Sequence, residues 1–125
     1  MVTHRMILAA AVCAAAITLE PHGALAHAFL DHASPAVGSS VPTAPADVTM
    51  WFTQQLEPAF TTVTVTDKSG NNVDSGPATV DTQNPTELRV PLKPLPAGTY
   101  TVTWHALSVD THRTQGHFEF TVAAR

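Results

Sequence analysis

The chain has 125 residues, ten Asp/Glu against six Lys/Arg, a formal net charge of −4 and one cysteine, Cys13. That charge excludes the basic footprint of a protein that binds nucleic acid or anionic lipid. The length suits one domain, and a lone cysteine excludes an internal disulfide.

Residues 1–26 have the order of a secretory signal peptide. Arg5 precedes an apolar core from Met6 to Leu19, and Glu20-Pro21-His22-Gly23 breaks the run before Ala24-Leu25-Ala26. The core is too short to span a membrane, and a small-x-small tripeptide marks the cut. Cys13 lies inside that core after Val12, which is wrong for lipidation at a cleavage site. Removing the first 26 of the 125 residues leaves a domain of 99, residues 27–125, that starts with His27 and has no cysteine. Export places it in the periplasm, and no second apolar run of spanning length follows.

Beyond the cut, the proline-rich stretch from Pro35 to Pro45 reads as an irregular lead-in. Alternation begins at Asp47 and runs to Thr53, with Val48, Met50 and Phe52 on one face. Phe60 to Asp67 alternates valine with threonine, and Lys68-Ser69-Gly70-Asn71-Asn72 forms a turn before another strand from Val73. Glu87 to Leu92 alternates through Leu88 and Val90, with Pro91 pointing to an edge strand or a bulge. In Thr99 to Leu107, Tyr100, Val102 and Trp104 oppose Thr101, Thr103 and His105. Leu95-Pro96-Ala97-Gly98-Thr99-Tyr100 has the form of a tyrosine corner. His117 to Val122 closes the chain with Phe118, Phe120 and Val122 inward. The expected class is all-β: a Greek-key β-barrel or sandwich, immunoglobulin-like, with about seven strands.

Five histidines remain after the cut: His27, His32, His105, His112 and His117. A histidine that is first in the chain offers its α-amine as well as its ring. The amine has a pKa of about 7.7–8.0, so losing its proton to a metal costs little. Amine and ring nitrogen then chelate one ion, and nitrogen ligands in a tetragonal arrangement suit Cu(II). Asp110 and His112 are two apart, which in extended chain sends both side chains to the same face. They would complete a site of three nitrogens and one oxygen at the end of the best-defined strand.

The chain resembles the CopC/PcoC family of periplasmic copper-binding, copper-resistance proteins over nearly all of residues 27–125. The resemblance is carried by HAFLDHASPAVGSSVPTAP after the cut, VTMWFTQQLEPAFTTVTV, PLPAGTYTVTWHALSVDTH and the terminal GHFEF. It implies a Greek-key β-barrel that binds one Cu(II) per chain through the N-terminal histidine and the Asp and His of an S-x-D-x-H segment. Those positions are His27, Asp110 and His112 here. It also implies sequestration of copper, or delivery to a CopD-like inner-membrane copper transporter.

Two features depart from the family pattern. Some members carry a methionine-rich loop for Cu(I), whereas Met50 is the only methionine after residue 26 and sits on an apolar strand face. No Met-rich Cu(I) site is therefore expected. Gln54 stands where many relatives have an acidic residue beside the terminal amine, so affinity or exchange should differ. His32 reads as a surface residue of the lead-in, and His105 and His117 as partly exposed strand residues. Trp51 reads as a half-exposed cover or a contact residue. The alternative functions are a small histidine-brace copper redox enzyme of monooxygenase type, and a metal-free β-sandwich adhesion or assembly module. Against the enzyme, the chain is short and Asp110 fills a position that oxygen chemistry needs open.

Overall fold

Strands that bury one face place every second side chain in the core, so apolar alternation translates directly into a sandwich. The computed structural model describes residues 28–124; the segment read as a signal peptide, and His27 with it, lie outside the described residues. In chain order the elements are β1 (Leu30–Ser34), β2 (Ser40–Val41), β3 (Asp47–Phe52), a 3-10 turn (Pro58–Phe60), β4 (Thr62–Thr66), β5 (Thr79–Val80), β6 (Glu87–Pro91), β7 (Gly98–Leu107) and β8 (Arg113–Val122). One sheet has the order β1-β3-β6-β5 and the other β2-β8-β7-β4. Among the described residues no helix is long and apolar enough to cross a membrane.

The core lies between the sheets. Val48, Met50, Phe52, Leu88 and Val90 come from the first sheet, and Val65, Val102, Trp104, Phe118 and Phe120 from the second. Trp104 meets Phe52 edge to face across the gap, with ring centroids 5.1 Å apart. The tyrosine corner is present: the buried Tyr100 hydroxyl donates to the Pro96 carbonyl at 2.5 Å.

Three details differ from the sequence reading. Two short strands precede Asp47, where none was read: β1 before Pro35 and β2 within the proline-rich lead-in. β1 does not alternate because its register against β3 shifts between Leu30 and His32, and such a bulge erases the period-two signal. Secondly, β6 is not an edge strand; it lies between β3 and β5. Pro91 is tolerated because β5 pairs only with Leu88 and Arg89. Leu92 donates to Ala46 on the β3 side at 2.9 Å, so the Pro91 nitrogen faces away from that ladder, where no N–H is needed. Thirdly, β8 starts at Arg113, four residues before the expected start, and pairs with β7 along its whole length. Residues 108–112 are therefore the tip of a long hairpin.

Candidate metal centre

The hairpin tip is built on Ser108, whose side chain is fully buried. Its N–H donates to the His112 carbonyl at 3.0 Å, and its carbonyl accepts the Thr111 N–H at 2.9 Å. Its hydroxyl donates to the Asp110 carboxylate and accepts the His112 N–H at 3.3 Å. Asp110 Oδ2 then lies 3.2 Å from His112 Nδ1. Asp110 and His112 do meet, though not for the expected reason. The chain is not extended there; Thr111 takes a φ of 71°, a left-handed conformation that β-branched residues rarely adopt, and the turn brings the two side chains together.

Asp110 is held below the ordinary carboxylate range. The Ser108 hydroxyl is the main cause, followed by the His112 ring and backbone, with partial desolvation acting in the opposite direction. The carboxylate is therefore anionic at neutral pH and already oriented, as a ligand for a cation should be. Among the described residues no three His, Cys, Asp or Glu side chains converge. Asp110 and His112 form the pair available from this part of the chain.

Two other segments reach the same end of the sandwich. Ala28 is fully buried, and its carbonyl accepts the Thr114 hydroxyl at 2.7 Å, two residues after His112. Phe29 and Thr53 exchange hydrogen bonds, Phe29 N–H to Thr53 Oγ1 at 3.0 Å and Thr53 N–H to the Phe29 carbonyl at 2.9 Å. The Gln55 carbonyl accepts the Val109 N–H at 3.0 Å, so the segment with the half-buried Gln54 runs alongside the tip. Sequence reasoning assigned no role to Ser108, Gln55 or Thr114. Ser108 was legible as the first letter of S-x-D-x-H; the other two act through backbone pairing that no local pattern announces.

The remaining histidines lie elsewhere. His32 is exposed, hydrogen-bonds Asp31 at 2.7 Å and stacks on Trp51 at 4.4 Å, which makes Trp51 a half-buried residue capped by an imidazole. His105 is exposed on the outer face of β7 and lines a hollow of about 430 Å³ with Phe60, Arg113 and Thr114, beside the tip. His117 is exposed on β8. Met50 has no exposure at all, so its thioether is closed off from an incoming ion.

Comparison with known proteins identifies the family and the fold. The CopC domain family matches residues 30–123. The chain is 41% identical over 98 residues to Protein YobA of Escherichia coli K12, covering 78% of this chain and 79% of that one. The crystal structure of CopC from Methylosinus trichosporium OB3b superposes with a TM-score of 0.72 at 34% identity, covering 77% of this chain and 93% of that one. PcoC of Escherichia coli, described as a methionine-rich copper resistance protein, gives a TM-score of 0.69 at 33% identity, covering 78% and 100%.

Proposed function

This chain belongs to the CopC family of copper-binding proteins, and from that premise we propose that it is an exported carrier of one Cu(II) ion, held by His27, Asp110 and His112. The observation that carries this reading is the Thr114–Ala28 hydrogen bond. It ties Ala28, the residue to which position 27 is covalently attached, to a strand position two residues beyond His112. Cleavage after Ala26 would then turn His27 into an amine-plus-imidazole chelate at that end of the sandwich, in the periplasm. Two imidazoles, an amine and a carboxylate form a set that favours Cu(II) over other divalent first-row ions.

Binding and delivery, not catalysis, is the proposed role. Of the four large apolar side chains exposed among the described residues, Phe29, Phe60 and Val109 all lie around the hairpin tip. An apolar rim around a metal site suits transient docking, and the proposed recipient is a CopD-like membrane copper transporter.

The test is Cu(II) titration of the chain beginning at His27 against the same chain with one extra N-terminal residue. The extension moves the amine off the histidine, and affinity should fall tenfold or more, a loss of about 1.4 kcal/mol or greater. Equal affinities would overturn the proposal.

A further inference from the structure

The outer face of the β7–β8 hairpin carries two histidines that the hairpin-tip site does not use. In the ladder His105 pairs with Gln115, and Thr103 pairs with His117. These four side chains project to the solvent face, so His105 and His117 are diagonal neighbours across adjacent strands. Such neighbours stand about 7–8 Å apart in an antiparallel pair, within reach of long and aromatic side chains. Both are exposed, and both line one shallow depression of about 160 Å³ with Thr103, Gln115 and Gly116. The two imidazoles can reach toward one another over it, and Thr103 and Gln115 line the same depression. Glu119 lies two residues beyond His117 on the same face, opposite Thr101, and contributes negative charge.

We infer that His105 and His117 form a second, weaker site for an imidazole-preferring divalent transition ion, with Cu(II) bound most strongly of that series. Both residues stand on regularly paired strands, so their backbone positions are fixed. It has only two protein nitrogens, and water completes the coordination; it fills after the hairpin tip. His105 also lines the hollow that Arg113 and Thr114 share beside the tip. The inference does not rest on the ligand set proposed above, because it shares no residue with it.

The experiment adds CuCl2 past one equivalent to the chain beginning at His27 and follows backbone amide signals by NMR, with equilibrium dialysis for stoichiometry. The second equivalent should bind about a hundredfold more weakly than the first. It should broaden the amides of Thr103, His105, Gln115 and His117. His105→Gln and His117→Gln should each weaken that second step at least tenfold and leave the first unchanged. Saturation at one equivalent up to 100-fold excess copper would overturn the inference. So would a second step that is unaltered in the His105→Gln/His117→Gln double variant. Failure of the hairpin-tip reading would show separately, as a first equivalent that does not broaden residues 108–112.

Discussion

At the residue scale, Ser108 is the centre of the hairpin tip. One buried hydroxyl orients the carboxylate of Asp110 and accepts the His112 N–H. Ser108→Ala leaves both groups without that support, and copper affinity should fall about 10–100-fold. Isothermal titration of the two proteins measures it, and an unchanged affinity would remove Ser108 from the site. The depressed pKa of Asp110 also has a sign that can be tested on metal-free protein. A carboxyl with a lowered folded-state value stabilises the fold above its ordinary value of 3.8, and that contribution fades as pH falls through the lower folded value. The stability gap between the parent and Asp110→Asn should therefore close as pH falls below 3.8, as read from denaturant midpoints. Copper loss on acidification should come earlier, in the range where α-amines and imidazoles take up protons. Asp110 and His112 were singled out by their spacing together with a histidine at position 27 and the family resemblance. The left-handed Thr111 that actually joins them was not, because nothing local in a threonine announces a positive φ.

At the element scale the long strands were legible and the short ones were not. β7, β3 apart from the buried Thr49, and β8 from Phe118 onward bury every second residue, so phase assigned Val48, Met50, Tyr100, Val102, Trp104 and Phe118 to the core. β1 hides behind its bulge, and β2 has only two residues, too few for any period. Gly116 shows what a strand pattern conceals. A Cβ built there would stand 2.6 Å from Trp104 Cζ2 and 2.9 Å from Cε2, well inside contact distance. The indole occupies the space a side chain would need, across the strand pair from its own register partner. Gly116→Ala must displace a buried ring, and overpacking of this kind costs about 1–3 kcal/mol. Urea unfolding should show that loss, together with a shifted Trp104 fluorescence. A neutral substitution would mean that the ring has room to move.

At the scale of the whole molecule, the proposed function draws on three segments far apart in sequence that share one end of the sandwich. Residues 28–29, 53–57 and 108–114 converge there through backbone and hydroxyl hydrogen bonds. The class of fold followed from strand spacing, but which loops share an end is a matter of long-range pairing that composition and periodicity do not encode. The apolar rim of Phe29, Phe60 and Val109 belongs to that same end. A double change, Phe60→Ser with Val109→Ser, should leave copper affinity within about twofold while slowing copper transfer to membranes that contain the proposed CopD-like transporter. Equal transfer rates would show that docking uses another face.

The Thr114–Ala28 bond joins positions 86 apart in the chain. With the proposed ligand set, an ion bound beside it ties the first residue of the exported protein to a hairpin near its far end. A cysteine-free domain would thereby gain the topological equivalent of a disulfide, closing a ring around most of its length. In chain-entropy terms a closure of that size constrains the unfolded state by about 4–5 kcal/mol. Unlike a disulfide, this clasp opens when the cargo leaves, so the protein's resistance to unfolding and proteolysis would report whether it is loaded.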